Sequence, residues 1–549
     1  MKKILIIGGV AGGATAAARL RRLDEASEIT MYERGEHISF ANCGLPYYIG
    51  GSIAERDDLL LQTPESFSRR FNVDVRVQSE VLSIDRAEKT VTVYDIKTGE
   101  TYNSSYDTLI LAPGGSPIIP PVEGIDSDGV FTLRSISDSD RIKGYINNNH
   151  PKKAIVIGGG FIGVEMAENL IDAGLEVSIV ELSNQVIAPM DIDIVCEIQN
   201  HLRRKGVSLY LNNGLKRLTK NTGGGLIAEL ANGTLTVDIV VLAIGVKPES
   251  SLAMKAGLKL GERGGIIVDK HMRTSDACIY ALGDAVETTD FVSGHSAMIP
   301  LAGPANKQAR IAADNICGYA SEYSGTQGSA VIKVFDMTAA FTGINEKTAA
   351  RLGMNYDKVF LWLPGHAGYY PGTGYMSMKV IFEKTSGRIL GAQIAGYDGV
   401  DKRCDILSAA IRAKMTASDL TGLELCYAPP YSSAKDPVNM AGYVIENLLT
   451  GKVKNFHWHD IAALPRDGSV TLLDVRNPNE VLRGSIDGFI NIPLDSLRSR
   501  IQHIERGKPV YVHCQSGLRS YIAARILMQN GFDVYNLSGG YRLYRSLQA

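Results

Sequence analysis

The pattern of apolar and polar positions predicts the same local unit twice in the first 183 residues of the chain. Ile4 to Ile7 form a continuous apolar run, which is typical of a strand buried on both faces. A glycine-rich turn, a helix from Ala11 and a second strand follow. Residues 152–183 repeat this order of strand, turn, helix and strand. The repeat predicts two dinucleotide-binding α/β folds in one chain.

The first turn departs from the glycine fingerprint of dinucleotide-binding folds. Against the pattern G-x-G-x-x-G, Val10 stands where the middle glycine is usual. The amides at the start of the following helix can hold a pyrophosphate, and a carboxylate at the end of the second strand can accept hydrogen bonds from ribose hydroxyls. Taken alone, the motif also fits a glycine-rich turn in another kind of α/β domain. The predicted binding positions are Gly8, Val10, Ala11, Gly12, Gly13 and Glu33.

The second turn satisfies the fingerprint fully, with Gly158, Gly160 and Gly163, and Glu181 ends its second strand. Two such folds imply two dinucleotides, typically a flavin and a nicotinamide nucleotide. Glu181 favours the free 2′-hydroxyl of NADH, because a 2′-phosphate would meet a like charge. Residues 183–184 supply no arginine for that phosphate, which disfavours NADPH.

Cys43 lies just past the first nucleotide-binding unit, and the next cysteine in the sequence is Cys196. A redox enzyme that uses an internal disulfide would place a second thiol a few residues away. If Cys43 is reactive, its sulfur partner must therefore come from a substrate.

Composition narrows the possible functions. At 549 residues, the chain is long enough for about three to five domains. A net charge of −2 provides no broad basic surface, so a nucleic-acid partner is not expected. Seven widely spaced cysteines favour a reducing compartment, and no histidine spacing suggests a metal site.

The first residues resemble a secretory signal, since Lys2 and Lys3 precede an apolar run. Glycines interrupt that run, and a charged helix follows it. No later stretch reaches the roughly 18 apolar residues of a membrane span. A cytoplasmic protein without a membrane partner is therefore expected.

The duplicated folds, together with residues 107–114 and 279–284, resemble the FAD-dependent pyridine nucleotide–disulfide oxidoreductase family. The resemblance implies an FAD-binding domain of residues 1–115 and 250–325, with an NADH-binding domain inserted at 116–249. It also implies that an α+β dimerisation domain at 326–446 forms a homodimer. Further FAD-binding positions implied by the resemblance are Ala112, Gly114 and Asp284, the last on the ribityl chain.

Residues 39–44, Ser-Phe-Ala-Asn-Cys-Gly, resemble the single-cysteine branch of this family. That branch contains coenzyme A-disulfide reductases, NADH oxidases, NADH peroxidases and persulfide reductases. Arginines at 19, 21 and 22 suit the phosphates of coenzyme A, although cations at a helix C-terminus also complement the helix dipole. The resemblance adds coenzyme A to FAD and NADH as an expected bound molecule. Its implied contacts are Arg19, Arg22, Ser39, Asn42 and, more loosely, Arg70.

Tyrosines occur in two Pro- and Gly-containing stretches of the predicted dimerisation domain, at 365–372 and 426–431. Loop or interface packing is the ordinary role of such tyrosines. In coenzyme A-disulfide reductases, tyrosines at matching positions reach the cysteine of the partner subunit. The resemblance assigns this role to Tyr369 and Tyr427, with Tyr370 as an alternative register.

Residues 447–456 are predicted to be a polar linker, and a further α/β unit follows at 457–549. Its strand at 508–513 leads to Cys514 at the start of a helix, where backbone amides and Arg519 would stabilise an anionic persulfide. The unit resembles a rhodanese domain. The six-residue loop from Cys514 to Arg519 has the sulfurtransferase length, whereas phosphatases of this fold usually have a longer loop.

The sequence therefore predicts an α/β protein with two Rossmann-like domains, an α+β dimerisation domain and a C-terminal rhodanese domain. The predicted function is NADH-dependent reduction of persulfide, polysulfide or coenzyme A disulfide at Cys43, while Cys514 relays sulfane sulfur. The alternative enzyme is an NADH oxidase or peroxidase that cycles Cys43 through sulfenic acid. In that reaction the rhodanese domain has no role. A non-enzymatic sulfur sensor is a third possibility, which no DNA-binding helix pair supports.

Overall fold

The structure is a computed structural model that describes residues 1–548. Its contacts divide the chain into two compact units. The first unit contains residues 1–186 and 206–328, and the second contains residues 187–205 and the chain from residue 329 onward.

The first unit is built on two parallel five-stranded sheets, one for each copy of the predicted nucleotide-binding fold. Apolar central strands are buried on both faces, which explains their unbroken Ile, Leu and Val runs. In sheet order, the first sheet contains Ile279–Ala281, Thr108–Leu111, Lys3–Ile7, Glu28–Tyr32 and Asp74–Arg76. The second contains Ser208–Tyr210, Glu176–Val180, Lys153–Ile157, Ile239–Leu242 and Val130–Thr132.

Small sheets and helices surround these two parallel sheets. The small sheets contain Ser79–Asp85, Thr90–Asp95 and Thr101–Ser105; Leu215–Lys220, Leu226–Leu230 and Thr234–Val237; Gly115–Pro117 and Val246–Pro248; and Ile266–Ile267, Val286–Thr289 and Ser296–Ala297. The α-helices of this unit are Ala11–Leu23, Leu45–Gly50, Pro64–Phe71, Ile136–Asn149, Phe161–Asp172, Ser251–Lys255 and Ala302–Ile316.

The second unit combines an antiparallel sheet with a parallel one. The antiparallel sheet contains Ala330–Val334, Met337–Gly343, Ile389–Gly396, Tyr375–Glu383 and Tyr356–Pro364. The parallel sheet contains Lys454–Phe456, Val534–Leu537, Val510–His513, Thr471–Asp474 and Ile490–Asn491. We call residues 454–548, which include this parallel sheet, the C-terminal module. The α-helices of the unit are Ile192–Arg204, Glu346–Arg351, Val400–Arg412, Ala417–Thr421, Pro437–Leu449, Pro478–Val481, Leu494–Leu497, Leu518–Gln529 and Gly540–Ser546.

The helix Ile192–Arg204 belongs to the second unit, although the predicted NADH-binding domain at 116–249 includes its residues. A buried ion cluster fixes its first turn to the antiparallel sheet. The Nζ atom of Lys379, which is fully buried, lies 3.0 Å from Asp191, 2.9 Å from Asp193 and 2.6 Å from Glu346. These ion pairs explain why the helix groups with residues after 328.

The predicted linker at 447–456 is wrong at both ends. Its first residues continue the helix Pro437–Leu449, and its last residues form the strand Lys454–Phe456. That strand pairs in parallel with Val534–Leu537, and Phe456 is buried in the core of the C-terminal module. Burial of this phenylalanine makes the strand part of the module.

Within residues 1–548, no helix combines the length and the apolar character needed to cross a bilayer. The described chain also brings together no group of three or more His, Cys, Asp and Glu residues able to hold a metal ion.

Candidate active sites

The two glycine-rich turns have the same backbone geometry. Gly8 and Gly158 have φ angles of +99° and +105°, in the left-handed region that favours glycine. A Cβ atom would lie 1.8 Å from the carbonyl oxygen of Gly8 if added to Gly13, and 2.0 Å from that of Gly158 if added to Gly163. The outer glycines are therefore required by close contact between each strand and its helix.

The middle position of the fingerprint is under no such constraint from the protein. A Cβ atom added to Gly160 would meet no atom within 4 Å in the described chain. Val10 occupies the matching position of the first turn with a φ of −96°. The fold therefore accommodates valine here, which explains how the first copy forms without the middle glycine.

The carboxylates that end the second strands are held in the same way in both copies. Glu33 accepts hydrogen bonds from the amides of Gly9 at 2.9 Å and Gly35 at 2.8 Å. Glu181 accepts them from the amides of Gly159 at 2.7 Å and Ser183 at 2.8 Å. Each carboxylate is thus fixed beside its glycine-rich turn, as ribose recognition requires.

A cleft of about 690 Å³, which includes space open to solvent, lies against the first turn. Gly8 and Glu33 line it, together with Pro113, which lies between the predicted positions Ala112 and Gly114. The amide of Ala112 donates to the carbonyl of Ile7 at 2.8 Å, which ties this strand end to the turn. These residues fit the dinucleotide part of FAD.

Asp284 and Arg134, which both lie in the first unit, form an ion pair. Arg134 Nη2 lies 3.7 Å from Asp284, and it would lie 2.8 Å from a Cβ atom added to Gly114. Burial raises the pKa of Asp284, while the Arg134 guanidinium opposes this rise. The amide of Gly283 donates to Gln308 at 2.8 Å, which holds the turn that carries Asp284.

Cys43 lies in the short 3₁₀ turn Asn42–Gly44, directly before the helix Leu45–Gly50. It is exposed, and each of the seven cysteines of the described chain is a free thiol. The protein around the sulfur raises the pKa of Cys43 through partial burial, and the charge of Glu165 adds to this rise. Arg134 opposes it. Cys43 therefore has no disulfide partner within the described residues, and its surroundings do not strongly favour the thiolate.

Glu165 and Tyr47 were not identified from the sequence. Burial and the nearby Glu168 raise the pKa of Glu165 to about 7, although a hydrogen bond from Tyr47 acts in the opposite direction. Burial and Glu165 raise the pKa of Tyr47 to about 12. Glu165 is on the helix that follows the second glycine-rich turn, two residues beyond Gly163. This spacing was visible in the sequence, but the closeness of the helix to Cys43 was not.

Asn42 has an unpaired polar atom, consistent with its predicted coenzyme A contact. Its Oδ1 atom is buried and has no hydrogen-bond partner within residues 1–548. Ser39 has a positive φ of 47°, and its amide donates to the carbonyl of Gly9 at 2.9 Å. This bond joins the segment that leads to Cys43 to the first glycine-rich turn.

The arginines near this segment have different surroundings. Arg22 and Arg70 are exposed, whereas Arg19 pairs with Asp314 at 2.8 Å. Arg21 is 4% exposed and donates to backbone carbonyls, including that of Asn72 at 2.8 Å. The role of Arg21 is therefore structural. The exposed Arg22 and Arg70 remain available to an anion.

The structure joins Tyr369 and Tyr427. Their hydroxyl oxygens are 2.8 Å apart, and the two side chains are exposed. The Tyr370 ring instead lies edge-on to His366, with the ring centroids 5.6 Å apart. The two tyrosines assigned by the family resemblance thus contact each other, whereas Tyr370 contacts His366.

Cys514 follows the strand Val510–His513 and is fully buried. Its sulfur accepts hydrogen bonds from the Gly517 amide at 3.1 Å and from the Ser520 hydroxyl at 3.3 Å. The sequence predicted several backbone amides at the sulfur, but the structure has one amide and one hydroxyl. Ser520 lies in the first turn of the helix Leu518–Gln529, and its hydroxyl reaches back to the sulfur.

Arg519 forms a two-point ion pair with Glu480, which the sequence analysis missed. The two N–O distances are 2.6 and 2.7 Å. Arg519 holds the pKa of Glu480 at about 2, helped by the Asn477 amide, while partial burial opposes this. Glu480 is thus a fixed anion that orients Arg519 beside the Cys514 loop.

Comparison with known proteins identifies the class that this fold and these sites define. Residues 2–309 match the family "Pyridine nucleotide-disulphide oxidoreductase", residues 329–437 match its dimerisation domain, and residues 458–547 match the rhodanese-like domain. The chain belongs to the pyridine nucleotide-disulphide oxidoreductase family. The predicted fold class and the predicted family resemblance are confirmed.

Three relatives place the chain within that family. The coenzyme A disulfide reductase of Staphylococcus haemolyticus is 38% identical over 450 residues, which cover 82% of this chain and 100% of that protein. The crystal structure of reduced CoADR-RHD from Bacillus anthracis is 52% identical, with a TM-score of 0.97 over 100% of this chain and 98% of that one. A NAD-dependent persulfide reductase from A. fulgidus is 40% identical, with a TM-score of 0.92 over 99% of this chain and 100% of that one.

These comparisons make the chain a flavoprotein oxidoreductase of the FAD- and NADH-dependent kind, similar to coenzyme A disulfide reductases and persulfide reductases. One expectation needs correction. Coenzyme A was expected alongside FAD and NADH as a cofactor, but the first of these relatives is named as a reductase of coenzyme A disulfide. Coenzyme A is there part of the substrate.

Proposed function

We propose that the protein is a homodimeric, cytoplasmic, NADH-dependent flavoprotein that reduces a persulfide, a polysulfide or coenzyme A disulfide through Cys43. The observation that carries this proposal is the combination, in one chain, of an exposed Cys43 with no disulfide partner in the described residues and a buried Cys514 held in a sulfurtransferase-type loop. The likeness to a persulfide reductase over the full chain supports the same substrate class. Free thiols at all seven cysteines are consistent with a reducing compartment.

Cys43 is the nucleophile in this proposal. Its thiolate attacks the outer sulfur of a persulfide R–S–SH, the S–S bond breaks, and R–S⁻ leaves. The outer sulfur then remains on Cys43 as a persulfide. FAD, when bound, would supply two electrons that originate from NADH. With these electrons and one proton, the Cys43 persulfide would yield hydrogen sulfide and the Cys43 thiolate. With coenzyme A disulfide, the first product on Cys43 is a mixed disulfide instead.

The chain's own residues have defined roles around Cys43. The Asn42 amide oxygen, which is buried and unpaired within residues 1–548, would accept a hydrogen bond from a substrate. Exposed Arg22 and Arg70 supply positive charge for the phosphates of coenzyme A. In a homodimer, the joined hydroxyls of Tyr369 and Tyr427 would donate a proton or a hydrogen bond to the leaving sulfur at the partner's site.

Cys514 is proposed to carry sulfane sulfur. Its thiolate takes the outer sulfur of a donor such as thiosulfate, which leaves as sulfite, and a thiol or cyanide acceptor then removes that sulfur from the Cys514 persulfide. The Gly517 amide and the Ser520 hydroxyl lie within hydrogen-bond distance of the sulfur. These donors would stabilise the anion during both transfers.

The reductase proposal is tested by measuring NADH consumption and sulfide release with coenzyme A persulfide. Wild-type protein should release one sulfide per NADH, and Cys43→Ser should lose this turnover. Cys426→Ser is the matched control, because Cys426 is the other exposed cysteine. Full turnover in Cys43→Ser would overturn the proposal, and a higher kcat/KM with hydrogen peroxide would favour the peroxidase alternative.

A further inference from the structure

The C-terminal module packs on the helix Ile192–Arg204 and on the strand Tyr356–Pro364 mainly through residues 538–546, while His457 and His459 add contacts to the strand. The Ser538 hydroxyl accepts a hydrogen bond from the amide of Phe360 at 3.1 Å. Leu543 packs with Phe360 and Cys196 in a small buried cluster. A Cβ atom added to Gly539 would lie 3.2 Å from the Cβ of Phe360, so the backbones are in close contact.

The opposite side of the same segment holds the Cys514 loop. The amide of Tyr541 donates to the carbonyl of Cys514 at 2.8 Å, and the amide of Arg542 donates to the carbonyl of Gln515 at 2.9 Å. Gly540 has a φ of +64°, and an added Cβ atom would lie 2.7 Å from the Cys514 carbonyl oxygen. One face of this segment is therefore fixed to the helix Ile192–Arg204 and the strand Tyr356–Pro364, which we call the docking surface. The other face fixes the backbone of Cys514.

Glu197 is the polar centre of this docking surface. The side chain of Arg542 donates to one of its carboxylate oxygens at 3.1 Å, and the Ser546 hydroxyl donates to the other at 3.1 Å. Glu197 is 8% exposed, whereas the Arg542 side chain is 32% exposed. The Arg542 guanidinium also lies over the Trp362 ring, 4.6 Å from its centroid.

We propose that Glu197 and Arg542 are positioning residues for sulfur transfer at Cys514, an inference that rests on the proposed sulfurtransferase function. Arg542 takes part in two contacts at once, since its side chain binds Glu197 and its amide binds the loop. Docking of the C-terminal module thereby sets the direction of the Cys514 and Gln515 carbonyls. The loop turns back within three residues to bring the Gly517 amide to the Cys514 sulfur. A change in the direction of the Cys514 and Gln515 carbonyls therefore displaces the Gly517 amide.

The test uses the full-length holoenzyme with thiosulfate as the sulfur donor and cyanide as the acceptor. Glu197→Gln, Arg542→Gln and the double variant should lower kcat for thiocyanate formation by about tenfold, with little change in the KM for thiosulfate. Arg542→Lys should restore part of the loss, because it keeps the charge facing Glu197. NADH-dependent reduction of coenzyme A disulfide should remain at the wild-type rate.

A second measurement separates positioning from a general loss of structure. The rate of iodoacetamide labelling of Cys514 can be measured across a pH series by mass spectrometry of its peptide. The pH at which this rate rises should be higher in the double variant than in the wild type. Lys454→Gln is the matched control, because Lys454 forms an exposed ion pair with Asp533 on the edge strand of the same module. It should change neither kcat nor labelling.

The inference is overturned if the double variant, which has no charge at either end of the contact, keeps the wild-type kcat and labelling curve. If the wild-type protein forms no thiocyanate, the proposed sulfurtransferase function fails. The labelling curves alone then decide whether docking positions Cys514.

Discussion

Arg519 and Glu480 form a two-point ion pair, with N–O distances of 2.6 and 2.7 Å. Glu480 is itself fixed, because its carboxylate accepts a hydrogen bond from the Asn477 amide at 3.0 Å. The pair places a guanidinium with a defined orientation beside the Cys514 loop. In the proposed sulfur transfer, Arg519 would receive an anionic sulfur donor without first becoming ordered.

Glu480→Gln should lower sulfur transfer from thiosulfate to cyanide by about tenfold, because it removes the anion that orients Arg519. The pKa of Glu480 is held at about 2, so the pair is lost only as the pH falls towards that value. The defect should consequently be present throughout the neutral range. Glu505→Gln, at an exposed ion pair with Lys508 in the same module, is the control. Equal activity of the two variants would contradict the assigned role.

The second prediction concerns the tyrosine pair. Tyr427→Phe should lower kcat for coenzyme A disulfide by at least about tenfold, because it breaks the 2.8 Å hydrogen bond to Tyr369 and removes a phenolic donor. Tyr370→Phe should remain within about twofold of wild type, since its ring packs on His366. Steady-state kinetics of the two variants decide between the registers. A larger loss in Tyr370→Phe would reverse the assignment.

Much of the fold was predictable because its signals are local. Each nucleotide-binding copy carries its strand, its glycines and its carboxylate within about 32 residues, and the contacts of Glu33 and Glu181 with their turns are equally local. The strand Lys454–Phe456 was missed because it is short and carries polar residues at an edge of its sheet. Only its pairing with Val534–Leu537 reveals it.

The site partners that were missed are distant in sequence. Glu480 precedes Arg519 by 39 residues, and Glu165 lies on a different nucleotide-binding copy from Cys43. Periodicity predicts which face of an element is buried, but it does not predict which charged side chains meet across the fold. The tyrosine pair was reached only through family resemblance, because its residues alone are equally compatible with loop packing.

Lys379 should be essential for the stability of the second unit. It is fully buried among Asp191, Asp193 and Glu346, and these carboxylates raise its pKa although burial alone lowers it. Lys379→Met leaves buried carboxylates without their cation, so the free energy of unfolding should fall by about 3–5 kcal/mol. Lys454→Met, at an exposed pair, should change it by no more than about 1 kcal/mol. Denaturant unfolding at saturating FAD measures both variants, and a similar small loss in each would refute the prediction.

Glu165 should affect both the ionisation of Cys43 and the pH dependence of the free energy of unfolding. Its pKa is raised to about 7 by burial and by Glu168, so the folded protein keeps the Glu165 proton at pH values where the unfolded chain has lost it. The stability from this proton is complete in acid and is lost as the pH rises through about 7. Glu165→Gln, which stays neutral, should therefore gain stability relative to wild type between about pH 5 and pH 8.

The same substitution should make Cys43 ionise more readily, because the charge of Glu165 raises the pKa of the Cys43 thiol. Iodoacetamide labelling of Cys43 in the holoenzyme, followed across pH by peptide mass spectrometry, should shift to lower pH in Glu165→Gln. Glu176→Gln is the control, because Glu176 is exposed on the strand Glu176–Val180 of the same nucleotide-binding copy. Superimposable labelling curves for Glu165→Gln and wild type would show that Glu165 does not act on the thiol, whereas a shift confined to Glu165→Gln would make the second nucleotide-binding helix part of the Cys43 site.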